Sequence, residues 1–238
     1  MKKILITVAF TTLSLQAHAE SFSKDQEAAI KTIVQNTLKE NPTMIMDTLK
    51  LAAQQEQQKQ QESQTKSLAA SKDQLFGDKV SPFLGNVNGS KVITVFLDPY
   101  CGHCRDFHAP MEEAVKAIPA AKIIIKDLPI FPPSELAVSA LLAAHKQRKY
   151  MEFYRAMTSS QEPLEREQLL TFASKVGIDV SKMAKDMDSP EIKNIINENR
   201  KLAAALLIRG TPGIATPTEI IPGGVRLDQL KEILQKLA

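Results

Sequence analysis

Cys101 and Cys104 are the only two cysteines in the 238 residues, and they stand three apart in Cys101-Gly102-His103-Cys104. The run just before them, Lys91-Val-Ile-Thr-Val-Phe-Leu97, is rich in β-branched residues and follows an Asn88-Gly89 turn signal, so it reads as a strand. Residues 105–118, just after, have helical character. A lone thiol pair excludes a multi-disulfide scaffold. It also asks for a fold in which a buried strand runs straight into a helix, with the cysteines at the junction.

That position carries chemistry. Two intervening residues let the sulfurs meet within the first helical turn and close a small reversible ring. Cys101 falls where unpaired backbone N–H groups and the helix dipole favour negative charge, which stabilises its thiolate. Cys104 lies one turn inside and can attack a mixed disulfide formed at Cys101. Cys101 is the expected nucleophile and Cys104 the resolving thiol. Gly102 and His103, between them, are the residues placed to tune the pair.

Other readings compete. An inert structural disulfide across so small a ring gains little loop-closure entropy. Half a copper or zinc site would draw on His103, His108, His145 or carboxylates, and there is no second cysteine pair. Cys104 and His108 do share a helical face at a spacing of four. Two unrelated exposed thiols fit poorly with an oxidising compartment.

The compartment is legible at the start of the chain. Lys2 and Lys3 precede an apolar run over residues 4–15, and Ala17-His18-Ala19 is a small-x-small cleavage pattern. This reads as a signal peptide over residues 1–19, since a dozen apolar residues fall short of the roughly 20 needed to span a bilayer. Its removal leaves 28 basic against 27 acidic side chains, too even a balance to suggest nucleic acid as a partner. The leader looks bacterial, so the expected space is a periplasm, where disulfides persist.

Residues 20–71 read as a helical oligomerisation segment and a Gln-rich linker. Ile30, Ile33, Val34 and Leu38 make an apolar stripe, Asn41-Pro42 stops one short helix and starts another, and Met44, Ile45 and Leu49 continue an apolar face. From 54 to 67 there is no apolar residue, so this stretch is a solvated helix or spacer. A stripe on a short helix gains little unless covered, which favours a second copy of the chain: a homodimer, with a homotrimer as alternative. Residues 72–238 form the main domain. Ala121–Asp127 reads as a second buried strand, and Ser134 as the cap of a helix over 134–148. Further helices are expected at 149–159, 165–176, 179–187 and 190–207, a short strand near 219–221, and a closing helix at 227–237. Strand, helix, strand, a helical block over about 134–207, two short strands and a helix make an α/β sheet with a helical insertion. With no Trp and 5% aromatic residues, aliphatic side chains must fill the core.

Three segments carry a family resemblance: Phe96-Leu-Asp-Pro-Tyr-Cys-Gly-His-Cys104, Lys126-Asp-Leu-Pro-Ile-Phe131, and Gly210-Thr-Pro212 followed by Ile221-Pro-Gly-Gly224. In this order and spacing the chain resembles the DsbA-like thioredoxin-fold thiol:disulfide interchange proteins, and within them the oligomeric Com1/ScsC-like branch. The resemblance covers about residues 72–238, and the Asn41-Pro42 helical unit resembles that branch's oligomerisation segment. It implies a thioredoxin fold with an inserted helical domain. It implies a cis proline at Pro212 facing the cysteines, with the Thr211 backbone turned outward to pair with an extended substrate. It implies no cofactor, exported protein substrates and a membrane redox partner. The acid that related proteins often place six positions before the first cysteine is Val95 here. Asp98 and Asp127 are possible substitutes but do not match that position, and proton transfer at Cys104 is left without an assigned base. Gly213 to Pro217 is an unusual continuation after the proline, so the strand there is expected to be weak.

The expected activity is therefore a periplasmic thiol–disulfide oxidoreductase that forms or isomerises disulfides. Gly-His between the cysteines and Thr before the proline resemble isomerase-type pairs. The competing functions are a periplasmic metal-sequestering protein using the same thiols, and a chaperone-like surface protein with incidental thiols.

Overall fold

The structure is a computed structural model, and it describes residues 22–160 and 162–237. The expected signal peptide lies outside the described residues. The chain divides into two compact units, the first ending at Gln57 and the second starting at Gln58.

In the first unit, α1 (Lys24–Glu40) opens with a reciprocal cap. Gln26 N–H donates to Ser23 Oγ at 3.3 Å, and Ser23 N–H donates to Gln26 Oε1 at 2.9 Å. Asn41 ends the helix, its backbone driven out of the α region by the following proline. Pro42 then opens α2 (Pro42–Ala70). Of the two expected forms, helix or spacer, the Gln-rich run takes the helix: one helix of 29 residues runs through it, because Gln, Lys and Glu hold helical backbone well without any apolar contact. The stripe of Ile30, Ile33, Val34 and Leu38 is 39–64% exposed, and Met44, Ile45 and Leu49 are exposed as well.

The second unit begins within α2, where Leu68 is buried against Leu75 and Phe96. Next come α3 (Lys72–Phe76), β1 (Phe83–Gly85), β2 (Lys91–Leu97), α4 (Gly102–Ala117) and β3 (Ala121–Asp127). The helical block is α5 (Ser134–Lys146), α6 (Tyr150–Met157), α7 (Arg166–Lys175), α8 (Val180–Met187) and α9 (Pro190–Ala205), followed by β4 (Gly213–Ala215), β5 (Ile220–Pro222) and α10 (Leu227–Lys236). The five strands lie in the order β1-β3-β2-β4-β5. β2 and β3 are parallel in the centre, with Leu97 opposite Asp127, and the outer pairings are antiparallel. The result is the expected α/β sheet with helices inserted between β3 and β4.

Alternation along the central strands sorts two cores. Ile93, Val95 and Leu97 join Ile123 and Ile125 on the face covered by α4 and the helical block, while Phe96 points to the other face with Leu75 and Leu128. β3 is buried along its whole length and β2 from Ile93 onward, as parallel strands covered on both sides require.

Two features differ from the sequence reading. Neither α3 nor β1 is foreshadowed, because five and three residues are too few to show a period. Ser134 does not cap α5: Pro133 is the N-cap residue and the Ser134 hydroxyl turns inward to Asp98. The strand after Pro212 is only three residues long, yet it pairs on both sides.

Candidate active site

The parallel strands β2 and β3 end at the same edge of the sheet, and α4 starts there. Cys101 is the N-cap of α4, in extended conformation, so its carbonyl accepts from Cys104 N–H and Arg105 N–H, both at 3.1 Å. Its own N–H donates to the Asp98 carbonyl at 3.1 Å. Both cysteines are free thiols. Cys101 keeps 7% of its surface exposed and Cys104 none. Cys104 Sγ accepts from Asp98 N–H at 3.5 Å. Burial pushes the Cys104 thiol far above the ordinary cysteine range.

Gly102 and His103 are exposed on the first turn of α4. A side chain at Gly102 would meet open space, so nothing steric requires glycine there. The His103 ring has no hydrogen-bond partner among the described residues. It lines a groove with Asp106, Phe107, Pro110, Thr211 and Pro212, closed on the far side by Gly223–Arg226. A Cβ on Gly224 would sit 3.3 Å from Phe107 Cγ, so this loop lies directly on the aromatic floor.

Thr211 and Pro212 come to the thiols from the far end of the chain. Their peptide bond is cis. Cys101 Sγ donates to the Thr211 carbonyl at 3.2 Å. The structure therefore brings Cys101, Cys104, Thr211 and Pro212 together, and leaves Gly102 and His103 at the rim.

Asp98 organises the turn between β2 and α4. Its Oδ1 accepts from Tyr100 N–H at 2.8 Å and from the Ser134 hydroxyl at 2.7 Å, and its Oδ2 from Ile130 N–H at 2.8 Å and Phe131 N–H at 3.3 Å. This carboxylate is fully buried, so its four donors repay the loss of water. It links the cysteine turn to the segment after β3. Tyr100 and Arg105 extend the link to the helical block: Tyr100 Oη accepts from Leu164 N–H at 2.9 Å, and Arg105 donates to Ser160 O at 3.2 Å.

Below Cys104 lies a buried polar cluster. The Tyr150 hydroxyl donates to Asp127 Oδ1 at 2.8 Å. Burial pushes the Asp127 carboxyl up to about 7, even though the Tyr150 bond pulls the other way. His108 is stacked on Tyr154, ring centres 3.7 Å apart, and burial, with Arg155 nearby, holds it down to about 3. Sequence reading missed Tyr150 and Tyr154 because aromatic residues on an amphipathic helix look like ordinary core.

His108 does not turn toward a metal site. His145 is instead engaged with the Val80 carbonyl at 2.9 Å. Among the described residues no three His, Cys, Asp or Glu side chains gather where they could hold an ion, so no observation favours the metal-sequestering reading.

Residues 92–235 match the family model described as DSBA-like thioredoxin domain. A thioredoxin-like oxidoreductase from Silicibacter pomeroyi DSS-3 is 31% identical, with a TM-score of 0.65 over 69% of this chain and 95% of that one. The thiol-disulfide exchange protein alpha-DsbA2 from Wolbachia pipientis is 26% identical, with a TM-score of 0.68 over 75% and 97%. Proteus mirabilis ScsC in a transitional conformation shares the fold over 91% of this chain and 97% of its own, at 24% identity and a TM-score of 0.65. A Na(+)/H(+) antiporter NhaA from Herminiimonas arsenicoxydans is 26% identical over 149 residues, and this chain spans only 23% of it. No helix among the described residues is long and apolar enough to cross a membrane.

Proposed function

This chain belongs to the DSBA-like thioredoxin domain family, and from that premise we propose that it is a periplasmic thiol–disulfide oxidoreductase that forms and isomerises disulfides in exported proteins. One observation carries the reading: Cys101 caps a helix and its thiol meets Thr211, which lines a groove, with a fully buried second thiol one turn behind it. A structural disulfide needs no groove, and a metal site needs ligands that are not gathered among the described residues.

In this reading Cys101 thiolate attacks a substrate disulfide. A mixed disulfide forms and the other substrate sulfur leaves as thiolate. Either a second substrate thiol re-pairs with the bound one and frees Cys101, which is isomerisation, or Cys104 resolves the adduct and the pair leaves oxidised. Run backward, the oxidised pair gives its disulfide to a substrate dithiol, and a membrane redox partner restores it. Thr211 and Pro212 border the groove and set the substrate backbone against Cys101, while His103 at the rim tunes the pair. The Wolbachia relative's description as a thiol-disulfide exchange protein supports the reading.

Reduced protein should restore activity to a scrambled disulfide substrate, and Cys101→Ser should not. Equal activity of the two would reject the assignment. The equilibrium of the pair with glutathione separates a dedicated oxidant from an isomerase that is kept reduced. The exposed stripe on α1 and α2 supports association with a second copy as a homodimer, or a third as a homotrimer, which would place several thiol pairs around one client.

A further inference from the structure

The reaction above needs Cys104 to shed a proton before it can attack, and burial opposes this strongly. The turn that holds Cys104 offers no acceptor: all four donor contacts on Asp98 are taken up in fixing the loop. His108, one helical turn beyond Cys104, is kept neutral and weakly basic by burial.

Other buried polar groups share the core with Cys104. Cys104 and His108 are neighbours four apart on α4. His108 stacks on Tyr154, which follows Tyr150 by four on α6. The Tyr150 hydroxyl is bonded to Asp127 Oδ1. Asp127 itself ends β3 directly opposite Leu97, next to the Asp98 amide that touches Cys104 Sγ. Strand alternation puts its side chain on the face of Ile123 and Ile125, which share one core with Cys104. Asp127 Oδ2 and the Tyr154 hydroxyl are buried polar atoms with no protein partner, a condition that calls for a reason in a native interior. A negative charge on the Cys104 sulfur would be felt by both Tyr150 and Tyr154.

We propose that Asp127 is the group that takes the proton of Cys104 during resolution and returns it on reduction, with the Tyr150 hydroxyl linking the two. The proposal rests on the oxidoreductase reading. The step balances as follows. The Cys104 S–H proton passes to the Asp127 carboxylate. The Cys104 thiolate attacks Cys101 Sγ, so the Cys101–Cys104 bond forms and the Cys101–substrate bond breaks. The electron pair leaves on the substrate thiolate, which takes a proton from water.

The surroundings set the acceptor near the working pH. Burial raises the carboxyl, the Tyr150 bond lowers it and the Asp98 charge raises it further, to about 7. Tyr150 and Tyr154 face it from α6 and Asp98 from the turn after β2, while His108 on α4 stacks on Tyr154. Asn199 from α9 bonds only its backbone carbonyl, at 2.9 Å. Lys126 points to the opposite face, where it pairs with Asp78. An acceptor matched to ambient pH gives up and takes back a proton with least penalty.

The test is single-turnover reduction of glutathione disulfide by the full chain, with the mixed disulfide and its resolution followed from pH 5 to 9. In the wild type the resolution rate should rise through an inflection near 7. Asp127→Asn keeps an acceptor for Tyr150, and it should lose that inflection and resolve at least about tenfold more slowly at neutral pH. Its Cys101 alkylation rate should stay within about twofold of wild type, which a general loosening of the site would not allow. Tyr150→Phe should slow resolution in the same direction. An Asp127→Asn variant with the wild-type pH profile overturns the proposal. Should that variant not fold, the Asp127 carboxyl carbon in the wild type decides by 13C NMR: titration near 7 supports the role, and titration in the ordinary aspartate range overturns it. Absence of any exchange in the wild type removes the oxidoreductase reading along with it; exchange with an unchanged Asp127→Asn profile removes only the Asp127 role.

Discussion

The thiol of Cys101 donates to the main-chain carbonyl of Thr211 at 3.2 Å, joining residues 110 positions apart. Thr211, which holds the Cys101 sulfur, also lines the groove together with Pro212 and His103. In the proposed function a substrate backbone is set against Thr211 in a strand-addition mode.

This arrangement predicts opposite fates for the two thiols. Cys104→Ser should accumulate a covalent mixed disulfide with a disulfide substrate, because the resolving sulfur is gone. Cys101→Ser should accumulate none, because Cys104 is fully buried. Non-reducing electrophoresis and intact mass after acid quenching read both outcomes. An adduct on the Cys101→Ser protein would reverse the assigned order.

Asp98 predicts a large stability effect at a position that does no chemistry. Asp98→Ala strips the acceptor from four donors. At about 1 kcal/mol for each, the loss should reach about 3–4 kcal/mol, against about 1 kcal/mol for Ser134→Ala. Urea unfolding gives both numbers. Similar small losses for the two would mean that the carboxylate does not bind the loop together.

One buried carboxyl and one half-buried carboxyl should give stability slopes of opposite sign with pH. Asp127 titrates near 7 in the folded chain and at about 3.8 ordinarily, so the folded chain binds more protons between those values and stability falls as pH rises through them. Asp127→Asn should lack this fall, a difference of at most about 4 kcal/mol across the window. For Asp78 burial acts upward, but the bonds from Lys126, Ser81 and Val80 hold it at about 2. Its contribution is present above 3.8 and is lost as pH falls through 2, about 2 kcal/mol that Asp78→Asn should lack at neutral pH. Unfolding free energies from about pH 1.5 to 8 measure both slopes.

The stripe on α1 predicts self-association through apolar contact. Ile33→Lys with Leu38→Lys should lower the mass seen in sedimentation equilibrium to that of one chain, and should slow isomerisation of a scrambled protein more than reduction of glutathione disulfide. An unchanged mass would leave the stripe without this role.

Local chemistry was readable from residue order. Asn41-Pro42 marked the break between helices, since proline both restricts its predecessor and fits the first helical turn. The β-branched run before Cys101 and the aliphatic run at 121–127 marked the central strands. The thiol pair located the helix start to within one residue. Each of these signals acts over a few positions, so it survives without knowledge of the rest of the chain. α3 and β1 are too short to carry such a signal, and Ser134 looked like a cap because its alternative partner, Asp98, lies 36 residues earlier.

What the order of residues could not settle is which remote groups meet the sulfurs. Thr211 O reaches Cys101 because β4 pairs antiparallel to β2. Asp127 faces the same core as Cys104 because β3 lies parallel to β2 with Leu97 opposite Asp127, and a slip of one residue would turn that carboxyl to the other face. Tyr150 meets Asp127 only after α6 is folded back over the sheet. Periodicity along a chain assigns each side chain a face; register and packing between elements decide its neighbours, and here the neighbours govern the proton and the sulfur.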